Sequence, residues 1–100
     1  MAEYQVTCII KSQSNGSHEH ITHIGNIADK WCMEREKAIN RIDSKQDQFY
    51  TIDRTTGKKV YIGVVREVGK APYLRTYADG KWNDNLLAQQ NCTSDCKLVP

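Results

Sequence analysis

One hundred residues make a chain of single-domain length, 39% hydrophobic and 26% charged, the balance of an ordinary globular protein, neither disordered nor membranous. Net charge is +2, with acids and bases interspersed, too mild to demand a nucleic-acid or membrane partner. No apolar run approaches a membrane span, and the opening Met-Ala-Glu-Tyr-Gln lacks the basic start and apolar stretch of a leader, so the expected location is cytoplasmic.

On that reading Cys8, Cys32, Cys92 and Cys96 are thiols in a reducing compartment. The sequons Asn15-Gly16-Ser17 and Asn91-Cys92-Thr93 carry no meaning there. A Cys92–Cys96 disulfide is sterically possible, but that compartment does not favour it.

The elements follow in chain order. Residues 4–11 alternate, with Tyr4, Val6, Cys8 and Ile10 on one side, the period of a half-buried strand. Ser14-Asn15-Gly16-Ser17 supplies a turn, and residues 18–24 (HEHITHI) read as a partner strand ended by Gly25-Asn26. From Ile27 the spacing becomes helical: Ile27, Trp31, Ala38, Ile39 and Ile42 share a face while charged residues fill the other. The helix is best defined between Met33 and Asp43.

Strand character returns at 48–53. Residues 58–68 (KKVYIGVVREV) are β-branched and alternating, the clearest strand in the chain, and 73–78 (YLRTYA) form the last one, closed by Asp79-Gly80. The remainder reads as loop, with one helical turn near Asn85-Leu86-Leu87. The order ββαβββ predicts an α+β fold: a two-layer sandwich of one antiparallel sheet of about five strands with a single helix on one face.

Tyr-Gln-Val-Thr-Cys-Ile at 4–9, His-Ile-Thr-His-Ile-Gly at 20–25, Trp31, Phe49-Tyr50-Thr51 and above all Tyr73-Leu74-Arg75-Thr76-x-Ala78-Asp79-Gly80, followed by Asp84-Asn85-Leu86-Leu87 and Cys92, resemble the small bacterial domain-of-unknown-function family 3892. The resemblance spans residues 4–92 of a single domain, with 93–100 as a tail. Its members usually carry Leu-Pro before the last Cys, where this chain has Gln89-Gln90-Asn91, so the path of the tail departs from the family pattern. The resemblance implies a fold and a bacterial or mobile-element context; it implies no activity.

Two constellations offer a binding site. If Val60, Ile62, Val64 and Leu74 face the helix, Lys59, Tyr61, Tyr73, Arg75 and Tyr77 lie on the opposite sheet face. Such a surface can stack bases, with Arg75, Lys59 and Lys58 meeting phosphate. Equally, tyrosines are good strand residues that cover a sheet's second face or a dimer contact. No RNA-binding sheet motif is present. The loop beyond carries Asp79, Trp82, Asp84 and Asn85. Trp82 amid polar residues suits a partner anchor, while Asp and Asn in turns mostly satisfy their own backbone. The spacing does not match a calcium loop.

His18, His20 and His23 with Cys92 and Cys96 lack the spacing of a zinc site. A Cys32–His23 pair can be imagined as a nucleophile and base, yet a Cys beside Trp31 more often packs. Phosphate loops, nucleophile elbows and zinc-protease motifs are missing from the sequence. The expectation is therefore a non-enzymatic binding module with no cofactor and no metal. Its site is Tyr61, Tyr73, Arg75, Tyr77, Asp79, Trp82, Asp84 and Asn85. Its partner is a protein or a second copy of the chain, with nucleotide or nucleic acid as the alternative; an enzyme using Asp79 or Asp84 is a third class.

Overall fold

A computed structural model describes residues 2–13 and 15–100. Among them are one α-helix, α1 (Arg35–Asp43), and the strands β1 (Ala2–Gln5), β2 (Cys8–Lys11), β3 (Ile21–Asn26), β4 (Trp31–Glu34), β5 (Asp47–Ile52), β6 (Lys59–Val65), β7 (Tyr73–Ala78), β8 (Lys81–Asn83), β9 (Gln90–Asn91) and β10 (Lys97–Leu98). They form two five-stranded sheets rather than one. The meander sheet has the order β1-β5-β6-β7-β8, and the second sheet the order β10-β4-β3-β2-β9. Both are mixed: β1 runs parallel to β5, β10 to β4 and β9 to β2, while the other pairs are antiparallel. The expected single antiparallel sheet is thus corrected to two mixed ones.

The first correction begins at Val6-Thr7. The run 4–11 alternates without interruption, but Val6 N–H donates to Tyr50 O in the meander sheet and Thr7 N–H to Gly25 O in the second. The chain changes sheet between these two residues. Asn26, buried, donates from Nδ2 to Gln5 O, and Ile27 N–H donates to Thr7 Oγ1. These bonds satisfy the backbone where neither ladder can.

The helix is shorter than its apolar spacing suggests. Residues 31–34 are strand β4, paired with β3 through His23↔Glu34, Ile24↔Met33, Gly25↔Cys32 and Asn26↔Trp31. Nine residues are too few for a stable isolated helix, and α1 is held by burying Ala38 and Ile39. An ion pair from Arg41 to the buried Asp47 (2.9 Å) ties it to β5. The expected second strand is also divided: His18–His20 form a 3₁₀ turn, and the strand starts at Ile21 and includes Gly25-Asn26. Of the turn expected at 14–17, Ser14 lies outside the described residues; Gly16 N–H donates to Gln13 O.

One core serves both sheets and the helix. Val6, Ile9, Ile21, Ile24, Met33, Ala38, Ile39, Phe49, Ile62, Leu74 and Leu86 form a continuous buried cluster. Each large aliphatic side chain in it contributes about 1.5–3 kcal/mol of transfer free energy.

The cysteines are not thiols. Cys8 is bonded to Cys92 and Cys32 to Cys96, with Cα separations of 4.7 and 5.7 Å. The reason lies in register: β2, β3 and β4 set Cys8, Gly25 and Cys32 in one row across the second sheet, and the tail returns to it. This pairing removes Cys92 and Cys96 as metal ligands, and Cys32 as a nucleophile.

Candidate functional site

The rhythm of β6 holds: Val60 and Ile62 are buried while Lys59 and Tyr61 are exposed. Leu74 and Thr76 are buried on β7, which leaves Tyr73, Arg75 and Tyr77 on the outer face. Strand pairing then does something that alternation alone cannot show. The registers Tyr50↔Tyr61, Tyr61↔Tyr77 and Tyr77↔Trp82 place four aromatic residues in one row across β5, β6, β7 and β8. Tyr50 and Tyr61 meet edge to face at 6.2 Å, as do Tyr77 and Trp82 at 5.0 Å. Tyr61, Tyr77 and Trp82 are 40–46% exposed, and an open depression of about 450 Å³ lies among them, floored by Ile62 and Gly63.

Two local features build this face. Asp79 (φ 53°) and Gly80 (φ 78°) are both in the left-handed region, which joins β7 to β8 by a two-residue hairpin whose first pair is Ala78↔Lys81. Trp82 is thereby a strand residue beside Tyr77, not a loop residue. Its ring lies over Gly63, where a Cβ would come within 3.2 Å of Cζ3 and Cη2. Glycine at 63 makes room for the indole.

The charges among the rings are already matched. Lys59 Nζ lies 3.1 Å from Glu3 Oε1, which also accepts a hydrogen bond from Tyr61 Oη (3.2 Å). Lys59 sits 4.6 Å from the centroid of the Tyr50 ring, a cation–π distance. The Lys59 hydrogen bond holds the Glu3 carboxyl below its ordinary pKa, and Glu3 in turn raises that of Lys59. Arg75 donates from Nε to Asn83 O and from Nη2 to Asp84 Oδ1, both at 3.1 Å. It is a strut between β7 and the segment after β8.

The expected site residues therefore divide. Tyr61, Tyr77 and Trp82 are in the row. Tyr73 lies at the far end of β7, opposite Val65, with its hydroxyl donating to Glu67; burial, then that bond, raises its pKa. Asp79 serves the hairpin turn. Asp84 holds Arg75 and approaches His18 Nε2 at 3.4 Å. Asn85 serves the following turn: its N–H donates to Asn83 Oδ1, its Nδ2 to Asp53, and its carbonyl accepts from Gln89. Tyr50 and Glu3 were missed as site residues, although Tyr50 alternates with the apolar Phe49 in the sequence.

The model of the family described as Protein of unknown function (DUF3892) matches residues 5–88. The chain belongs to this family. The DUF3892 match takes in the whole aromatic row together with Cys8 and Cys32, and it ends before Cys92 and Cys96. No curated protein and no solved structure matches the chain. No helix of the described residues is long and apolar enough to cross a membrane.

Proposed function

We propose that this DUF3892 protein is a non-catalytic binding module whose outer meander-sheet face, Tyr50-Tyr61-Tyr77-Trp82, docks a second copy of the chain. One observation carries the reading: aromatic rings, three of them exposed, stand in register across four strands, while the cations interleaved with them, Lys59 and Arg75, are each held by a carboxylate of the same surface. A neutral, aromatic, rigid face can meet its own copy without like-charge repulsion, and aromatic residues are the usual anchors of such contacts. The same pairing weighs against the nucleic-acid reading, because a phosphate would have to displace Glu3 or Asp84 to reach those cations.

Light scattering behind size-exclusion, run across a concentration series, is the test. Self-association that is lost in Tyr77→Ser and Trp82→Ser supports the proposal. A monomer at every concentration overturns self-docking, and binding to single-stranded nucleic acid that weakens steeply with salt would transfer the face to the other partner.

A further inference from the structure

Residues 89–100 lie beyond the family match and take an unusual path. After Leu86, which is fully buried, the chain adds β9 beside β2, crosses the second sheet, and adds β10 beside β4. It thus occupies both edges of the sheet. Each added strand has only two residues, fewer than an independently stable strand carries. Beside the two short ladders, backbone bonds from Cys92 N–H to Ile9 O, Lys97 N–H to Lys30 O and Val99 N–H to Cys32 O hold the path. Lys30 and Asp95 form an exposed pair at 3.7 Å, which adds little.

What fixes the crossing is covalent. Both disulfides join a cysteine of the matched domain to one of the tail. Gly25 lies between them in the row. A Cβ there would collide with Trp31 O and press on the Cys92 and Cys8 sulfurs at 3.0 and 3.1 Å, so this strand has been kept bare where the tail passes. Beyond the second disulfide, Val99 forms one wall of a cavity of about 250 Å³ that Tyr4, Trp31, Met33, Arg41 and Phe49 also line. The three rings are in mutual contact, with centroids 5.9–6.3 Å apart.

We infer that residues 89–100 are a redox-controlled strap. Oxidised, they close both edges of the second sheet and wall the aromatic cavity with Val99. Reduced, they leave, which frees the β2 and β4 edges and opens the cavity. The reductant is a dithiol. Its thiolate attacks one sulfur of a disulfide; on the tail side Cys92 and Cys96 are half-buried residues, whereas Cys8 and Cys32 are buried. The other cysteine departs as thiolate and takes a proton. The second reductant thiol then displaces the first cysteine, so that two electrons and two protons reach the cysteines and the dithiol becomes its cyclic disulfide. The same exchange opens the second bond.

The experiment is amide hydrogen exchange on the full chain, oxidised and then in dithiothreitol, with alkylation to count thiols. The oxidised chain should show no free thiol and the reduced chain four. On reduction, protection at Cys92, Lys97 and Val99 should fall at least roughly tenfold further than that of the β3 and β5 amides, which stay protected. Cys92→Ser/Cys96→Ser should show the released pattern without reductant, and should bind more of an anilinonaphthalene dye. Free thiols in the air-oxidised protein overturn the inference, and so does a tail that stays protected after reduction. An equal loss of protection in the tail and in β3 and β5, in the reduced protein or the variant, also overturns it, since the bonds would then act only as staples of the whole fold.

Discussion

The meander sheet and the strapped sheet each carry five strands, yet they treat their outward sides differently. The first carries four rings in a row, three of them exposed and Tyr50 half-buried, and holds them by pleat, by a tight hairpin and by ion pairs within the face. The second has little of its own to hold its edges, and the tail supplies a strand at each side under two disulfides. A preformed face is suited to immediate docking. A face and edges covered by a covalent strap become available only after a chemical event. The two sheets share one core, so perturbing the surface of either need not dissolve the other.

The largest effect should come from removing the strap's bonds. Cross-links spanning 84 and 64 residues each stabilise a fold by about 2–4 kcal/mol through the unfolded state. The double variant Cys8→Ala/Cys32→Ala should therefore melt more than about 10 °C below the oxidised parent. Its transition should stay cooperative in calorimetry; a parent and variant with equal melting temperatures would mean that the bonds carry no stability. Next comes Gly25→Ala, which should cost about 1–3 kcal/mol by overpacking against Trp31 O and the two sulfurs. Denaturant titration measures it, and combining it with the cysteine variant should shrink the cost, because the sulfur contacts are then gone.

On the open face the expected changes fall on association more than on folding. Tyr77→Ser or Trp82→Ser should weaken the proposed self-docking by about 2 kcal/mol, close to thirtyfold in Kd. Melting should move little, since both side chains are 40% or more exposed. Arg75→Ala should act the other way round. Its guanidinium holds Asn83 O and Asp84, so stability should fall while a purely apolar contact persists. If Arg75→Ala instead abolishes docking without loss of stability, the guanidinium is an anchor and not a strut.

How much of this could be read from the sequence follows from the range of the interactions involved. The outward set Tyr61, Tyr73, Arg75 and Tyr77 is a two-residue rhythm and was legible, as was the body of the helix, because both are local. The row was not, since it depends on which residue of β5 stands opposite Tyr61. Strand β8 was legible in principle: Asp79-Gly80 between Tyr77 and Trp82 is a strong hairpin signal, and reading it as an ending rather than a turn lost the strand. Trp31 misled because its helical spacing to neighbours is accidental, and pairing with Asn26 overrides it. The disulfide partners lie 84 and 64 residues apart; only the sheet register that aligns Cys8, Gly25 and Cys32 brings them into reach.

The smallest effect concerns the junction between the two sheets. His18, in the 3₁₀ turn before β3, presses its side chain, 12% exposed, toward Asp84 and Arg75 of the meander sheet. Burial, then the Arg75 charge, lowers its pKa from 6.5, against the opposing pull of Asp84 and the Asn83 carbonyl. The unfolded chain therefore binds a proton at His18 before the folded chain does. Across the interval between the lowered value and 6.5, stability rises with pH, and acidification through it costs stability. The lowered carboxyls of Glu3, Asp53 and Asp95 start from 4.5, 3.8 and 3.8, so their losses are centred at more acidic pH than 6.5, where the His18 effect begins. Between about pH 5 and 7.5, the melting temperature of the parent should climb by a few degrees at most, and His18→Gln should flatten that climb. An unchanged slope in the variant would show that the imidazole is not held in its neutral form by the contact between the sheets, and that the junction is wetter than its packing implies.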